Sequence, residues 1–276
     1  MFVDVLTALA VVVAIGLFFG ILLAVFVRLF GVEEDEKQKK IRELLPGINC
    51  GACGFSGCND YAEALAKGNA KPNLCVPGAK STAEELSHLL GVTVEPPKDV
   101  IAYVHCNGTC GTVSEKANYL GIQTCKATSM IYGGPKACAY GCLGCGDCAT
   151  VCISDAIAIV DGVARVDTSR CVGCGMCAKE CPRGVISMIP QETGTVVACS
   201  SKDKGADAKK ACAAACIGCK KCEKLCPEQA ISVIKNCAVI DYTRCTGCGL
   251  CVEGCPTGCL KKTSFPDLPE GFCIKR

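Results

Sequence analysis

Sixteen of the 29 cysteines in this chain of 276 residues fall into four runs with one common spacing. Each run reads Cys-x2-Cys-x2-Cys-x3-Cys, and three thiolates this close along the chain can wrap one corner of a cubane iron–sulfur core. The runs consist of Cys142, Cys145, Cys148 and Cys152; Cys171, Cys174, Cys177 and Cys181; Cys216, Cys219, Cys222 and Cys226; and Cys245, Cys248, Cys251 and Cys255. The spacing therefore predicts [4Fe-4S] clusters.

In paired runs of this kind, the fourth cysteine of each run binds the cluster of the other run. Four ligand sets follow: Cys142, Cys145, Cys148 and Cys181; Cys171, Cys174, Cys177 and Cys152; Cys216, Cys219, Cys222 and Cys255; Cys245, Cys248, Cys251 and Cys226. Zinc ribbons use Cys-x2-Cys pairs without the triple run, so zinc does not explain this pattern.

Two stretches between the runs, AIAIVDGVARVD and AISVIKNCAVID, alternate apolar and polar residues around a central turn. They predict β-hairpins beside short helices. The predicted fold class is therefore α+β, with two tandem dicluster ferredoxin-like domains of the bacterial type at residues 139–190 and 191–276.

The two pairs of runs form an internal repeat with an offset of 74 residues. At this offset Cys199 aligns with Cys125, and Cys212 aligns with Cys138 within a second Lys-Ala-Cys-Ala tetrapeptide. The repeated unit is therefore expected to begin before the cluster loops.

Three other cysteines receive no cluster in this scheme. Cys237 and Cys259 align with Val163 and Val185 at the same offset, so we expect them to act as small buried apolar residues. Cys273 has no counterpart and is predicted to be a free thiol.

A further group of four cysteines precedes the runs: Cys50, Cys53, Cys58 and Cys75, in a module predicted over residues 32–95. The intervening glycines 51, 54 and 57 allow the backbone to turn tightly around a metal. We predict another [4Fe-4S] cluster here, with zinc as the alternative, because four cysteines also suit zinc.

The connecting segment 96–138 contains a last set, which is predicted to bind a sixth cluster: Cys106, Cys110, Cys125 and Cys138. The alternatives are a zinc site, or a cluster shared between the two repeats that uses Cys199 and Cys212. His105 could also be a ligand, since histidine binds some clusters, but a structural role is favoured.

The N-terminal part, predicted over residues 1–31, is a transmembrane anchor. No charged residue interrupts the 23 residues from Val5 to Val27, which as a helix would span about 35 Å. The run lacks the basic start and the small-residue cleavage site of a signal peptide. Basic residues follow it (Arg28, Lys37, Lys39, Lys40 and Arg42), so the rest of the chain is expected on the cytoplasmic side of the cell membrane.

Composition and motifs exclude several functions. There is no dominant basic tract and few aromatic residues, which argues against nucleic-acid binding. No glycine-rich dinucleotide loop or phosphate-binding loop is present, so the chain is expected to hold no NAD or flavin of its own. Seven lysines lie between residues 202 and 224; they could steer an acidic protein partner or form an ordinary solvated face.

Together, the apolar N-terminal helix, the CGACGFSGC sequence and the tandem ferredoxin runs resemble the B subunits of the Rnf complexes. This resemblance implies a membrane-bound ferredoxin:NAD⁺ oxidoreductase that transports Na⁺ or H⁺. It further implies that the chain accepts electrons from soluble ferredoxin and relays them to flavin-bearing and NAD-binding partner subunits.

Two other functions agree with the residues. The chain could be the iron–sulfur relay of another membrane oxidoreductase, such as a hydrogenase or a formate-oxidising complex. It could also be a structural zinc protein of the membrane, which would be colourless where an electron relay is brown.

Overall fold

The computed structural model of the protein describes residues 2–30, 35–94 and 99–263. Met1–Lys40 and Ile41–Arg276 form two compact units. Cys273 and the predicted boundaries near residues 31 and 95 lie outside the described residues.

The first unit contains the long apolar helix α1, Phe2–Phe30. Its segment Leu9–Phe26 has a mean hydropathy of 3.0, and none of this segment is buried within the protein. At 1.5 Å per residue, the helix is long enough to cross a bilayer. The predicted apolar helix is present, and its length and composition suit a membrane span.

Three helices and one small core form the N-terminal cysteine module: α2, Glu36–Leu44; α3, Cys58–Ala66; and α4, Ala79–Leu90. The core contains Ile41, Tyr61, Leu65 and Leu86, each at most 2% exposed. The Tyr61 hydroxyl donates to the Lys71 carbonyl at 2.6 Å and accepts from the Leu74 amide. This side chain therefore ties α3 to the loop that leads to Cys75.

The two ferredoxin-like repeats each contain one hairpin between their cysteine runs. In the first, β2 (Ile157–Val160) pairs with β3 (Val163–Val166), and in the second, β6 (Ile231–Ile234) pairs with β7 (Cys237–Ile240). Both turns contain two residues with positive φ, Asp161-Gly162 and Lys235-Asn236, as two-residue hairpin turns require. The hairpins confirm the predicted α+β class.

Each repeat also has a second antiparallel pair that joins distant segments. Strand β1 (Val100–Val104) pairs with β4 (Ile186–Pro190), and β5 (Thr195–Val197) pairs with β8 (Leu260–Lys262). Residues 99–138 were predicted to connect two domains, but the structure uses their first strand to close the sheet of the first repeat.

Six short helices complete the repeats: α5, Cys125–Met130; α6, Asp147–Thr150; α7, Met176–Glu180; α8, Gly205–Ala211; α9, Lys221–Leu225; and α10, Leu250–Glu253. The cores of the repeats are small and contain many cysteines among valine, isoleucine and alanine side chains. A core with so few large side chains indicates that the cysteine sites contribute to holding each repeat together.

Candidate iron–sulfur sites

The third cysteine of every run lies on a short helix and points into the core. Cys148, Cys177, Cys222 and Cys251 lie on α6, α7, α9 and α10, and each is 6–9% exposed. Their neighbours in the run lie on the preceding loop. One loop and one helical turn therefore present three thiols to the same space.

Glycine precedes the second cysteine of all four runs, and the loops require it. Gly144 and Gly173 have φ of +82° and +67°, a region that favours glycine. A Cβ at these positions would lie 2.4 Å from the Gly162 carbonyl and 2.3 Å from the Val100 carbonyl, respectively. The loops thus pack directly on the strands, which fixes the direction of the thiols.

In the second repeat the predicted sets lie together. One cavity is lined by Cys216, Cys219, Cys222 and Cys255, and another by Cys226, Cys245, Cys248 and Cys251. In both cavities the fourth cysteine comes from the other run, as the crossing pattern predicts.

The first repeat has the same arrangement with one addition. Cys142, Cys148 and Cys181 line a cavity, and Cys145 lies close by, 3.5 Å from the Thr128 hydroxyl. Cys125 also reaches this cavity, which the sequence did not predict.

The remaining set of the first repeat consists of Cys171, Cys174, Cys177 and Cys152. Burial, followed by the charges of Cys171, Cys174 and Cys152, raises the pKa of Cys177 to about 12. This mutual influence shows that the four thiols converge on one space.

Backbone amides donate hydrogen bonds to several of these sulfurs. The Ala156 amide lies 3.2 Å from the Cys152 sulfur, and the equivalent Ala230 amide lies 3.3 Å from the Cys226 sulfur. Cys142 receives a similar bond from the Ala164 amide at 3.4 Å. Such bonds stabilise negative charge on sulfur and tune the reduction potential of a bound cluster.

Without a cation, this density of thiols disfavours their ionisation. Burial, followed by the charges of Cys142 and Cys125, raises the pKa of Cys148 to about 12. A cationic iron–sulfur core would offset that repulsion, and soft thiolate donors suit it. Within the described ranges, no three His, Cys, Asp or Glu side chains close around a single metal ion; the cysteine sets surround cavities instead.

The four cysteines of the N-terminal module also converge. Burial raises the pKa of Cys75, and the charges of Cys58, Cys50 and Cys53 raise it further. Cys50 is in addition close enough to Cys174 for its charge to raise the pKa of that thiol, after the effect of burial. The module therefore lies beside the second cysteine set of the first repeat.

The structure does not bring together the predicted set Cys106, Cys110, Cys125 and Cys138, which corrects that expectation. Cys110 is exposed, and its sulfur lies beside Gly162 in the β2–β3 turn. Cys125 lies against the cavity of Cys142 and Cys148.

Cys106 and Cys138 instead line one cavity together with two cysteines of the second repeat, Cys199 and Cys212. The sequence offered this grouping only as an alternative. The available signal was the second Lys-Ala-Cys-Ala tetrapeptide, which marks Cys212 as the partner of Cys138.

His105 has a structural role. Its Nδ1 lies 2.7 Å from the Val197 carbonyl oxygen and its Nε2 lies 2.6 Å from the Ser187 hydroxyl. Both ring nitrogens are thus engaged by strands β4 and β5, and burial lowers the pKa of the ring. The predicted burial of Cys237 and Cys259 is also observed, at 8% and 2% exposure.

Fold and sites together define a ferredoxin-type protein with several iron–sulfur sites. Two family models described as 4Fe-4S binding domains match residues 164–187 and 238–261, and residues 213–229. A family model for an Fe-S cluster matches residues 45–77, which contain the N-terminal cysteine set.

Similar proteins narrow the class further, and three of them are B subunits of membrane redox complexes. The chain is 42% identical, over 96% of its length and 95% of the relative's, to the B subunit of the proton-translocating ferredoxin:NAD(+) oxidoreductase complex of Clostridium ljungdahlii. It is 39% identical, over 89% of its length and 74% of the relative's, to that of the Na(+)-translocating ferredoxin:NAD(+) oxidoreductase complex of Acetobacterium woodii. Identity to that of the ion-translocating oxidoreductase complex of Methanosarcina acetivorans is 37%, over 91% and 96% of the two chains.

The chain belongs to this family, the B subunits of Rnf-type ion-translocating oxidoreductase complexes. It is an iron–sulfur electron-transfer subunit, which confirms the resemblance seen in the sequence.

Proposed function

We propose that this chain accepts electrons from reduced ferredoxin and relays them, along a row of six [4Fe-4S] clusters, to flavin- and NAD-binding subunits of an Rnf-type complex in the cell membrane. Each such cluster, when bound, takes up and releases one electron. The proposed ligands of five clusters are the N-terminal cysteine set and the four sets of the ferredoxin runs; the sixth is argued below.

The observation that carries this proposal is the continuity of the cysteine sites. The Cys50 set adjoins Cys174, and Cys148 and Cys177 of the next two sets adjoin each other. The Cys142 amide donates to the Cys106 sulfur at 3.3 Å, and the Cys216 amide donates to the Cys199 sulfur at 3.2 Å. Each site is therefore a neighbour of the next, and the row leads from the second repeat to the N-terminal module.

The seven lysines between residues 202 and 224 offer a docking face for ferredoxin. All seven are exposed, and Cys219 beside them is exposed too. Only three acidic residues lie in the same stretch, and one of them, Glu223, accepts a hydrogen bond from the Val233 amide. An acidic electron donor would be attracted to this surface over long range and would meet a cysteine set there.

At the other end of the row, the Cys50 set directly follows the apolar helix α1 and the basic residues after it in sequence. We assign the cysteine sites to the cytoplasmic side, because basic flanks stay there. Electrons would thus enter at the second repeat and leave at the module next to the membrane anchor.

The test is the oxidation rate of reduced ferredoxin by the purified complex, for Lys220→Glu/Lys221→Glu and for a control of equal charge change. The control is Lys67→Glu/Lys80→Glu, two exposed lysines whose partners are surface glutamates. At low salt we expect the first variant to be about tenfold slower or more, with a weaker salt dependence, and the control to be unchanged.

Equal rates for both variants and the wild type would refute docking at the lysine face. If ferredoxin fails to reduce a chain whose clusters a strong chemical reductant does reduce, the relay proposal itself is wrong.

A further inference from the structure

We infer that Cys106, Cys138, Cys199 and Cys212 bind a [4Fe-4S] cluster held between the two repeats, with two ligands from each. The four thiols line a single cavity. Cys106 and Cys212 are each 7% exposed, and Val113, Ala208 and Ala215 pack around them. This inference deepens the proposed relay and rests on its iron–sulfur content.

The two pairs of ligands occupy equivalent places in the repeats. Val104 pairs with Ile186 and Val197 pairs with Leu260, so β1 and β5 are equivalent strands. Cys106 and Cys199 each follow their strand by two residues, and their offset is 93 residues, in contrast to 74 for Cys138 and Cys212. The additional 19 residues of the first repeat lie between Cys106 and Cys138 and include Cys110 and Cys125.

The hydrogen bonds to these sulfurs repeat in the same register. The Gly108 amide donates to Cys106 at 3.4 Å and the Ser201 amide donates to Cys199 at 3.4 Å. Backbone N–H groups also reach Cys138, from Tyr140 and Gly141. Amide bonds to sulfur are the environment that iron–sulfur thiolates require, because they stabilise the charge of the bound cluster.

Two glycines leave the space between the thiols open. A Cβ on Gly108 would lie 3.6 Å from the sulfurs of both Cys106 and Cys212, and a Cβ on Gly141 would lie 3.4 Å from those of Cys106 and Cys138. Side chains at these positions would narrow the space in which a cluster must fit.

The site also supplies the missing step between the repeats. Cys142 and Cys216 are the first cysteines of the adjoining sets in the first and second repeat, and their amides donate to Cys106 and Cys199. One hydrogen bond therefore separates the inter-repeat site from each neighbour. Without a cluster here, the two halves of the row would have no redox centre between them.

Iron and acid-labile sulfide content of the anaerobically purified full chain tests this inference. We expect about 24 iron and 24 sulfide atoms per wild-type chain, and about 20 of each in Cys138→Ala and Cys212→Ala. The EPR signal of the reduced variants should lose about one spin in six. The matched controls are Cys110→Ala and Cys125→Ala, members of the set predicted from sequence, which should keep the wild-type content.

A wild-type content of about 20 irons, or unchanged iron in Cys138→Ala and Cys212→Ala, would overturn the inference and leave the relay of five clusters intact. One zinc per chain that is lost in these variants would overturn it as well. Retention of about 20 irons shows that a variant has folded. Should an alanine variant lose nearly all iron, the serine variants at the same positions decide by the same count.

Discussion

Lys136 provides the sharpest test of how the protein tunes its proposed clusters. It is only 8% exposed, and its Nζ donates to the carbonyls of Gly162, Cys142 and Gly108 at 2.6, 2.8 and 3.3 Å. The side chain lines the inter-repeat cavity and binds the backbone of the first cysteine of the neighbouring set. Its positive charge therefore lies between two proposed clusters, where it favours the reduced, more negative state of both.

The size of this effect follows from Coulomb's law. At about 7 Å and an effective dielectric constant of about 20, a unit charge contributes about 2 kcal/mol. About 1.4 kcal/mol corresponds to a factor of ten, and a factor of ten to about 59 mV for a one-electron couple. The substitution Lys136→Met, which keeps the length of the side chain, should therefore lower the reduction potentials of the two neighbouring clusters by roughly 50–100 mV.

The assay is a potentiometric titration of the anaerobic protein followed by EPR. The control is Lys210→Met, because Lys210 is equivalent in the second repeat but exposed, so water and salt screen its charge. Lys136→Met should also lose thermal stability, since three carbonyls lose a donor. A shift in Lys136→Met no larger than that in Lys210→Met, or a shift toward higher potential, would refute the reasoning.

Two further substitutions test the loops and the repeat. Gly173→Ala places a Cβ 2.3 Å from the Val100 carbonyl and should lose about four irons, whereas Gly258→Ala, with φ of +61° and no atom within 4 Å, should cost only the ordinary 1–2 kcal/mol or so of a left-handed residue; equal iron loss in both would contradict this explanation. Cys237→Val and Cys259→Val introduce the residues of the first repeat, so we expect unchanged iron content and a change in unfolding free energy below about 1.5 kcal/mol. A loss of iron in either variant would show that its thiol supports a cluster.

Much of the candidate site follows from the sequence because its chemistry is local. Three ligands within seven residues, a glycine before the second of them and a fixed distance to the partner run leave few ways to surround a cluster. The crossing of the fourth cysteine is seen in the cavities of the second repeat, and the hairpins between the runs lie where the alternation of residues predicts them.

The inter-repeat site is different, because its thiols are far apart in sequence. A single offset of 74 residues pairs Cys199 with Cys125, but the antiparallel pairing of β1 with β4 and of β5 with β8 makes Cys199 the counterpart of Cys106. The 19 additional residues hide this relation in the sequence. They also carry Cys110 and Cys125 away from the cavity, which is why the predicted set does not meet.

The sequence alone thus determined the cysteine runs, their crossing, the apolar helix and the family, since each depends on spacing within one segment. Tertiary structure alone decided which distant cysteines share a cavity, and that Lys136 is buried while its equivalent Lys210 is exposed. The physical reason is that burial and long-range proximity arise when strands from separate segments pair, and strand register is set by the packing of the whole repeat.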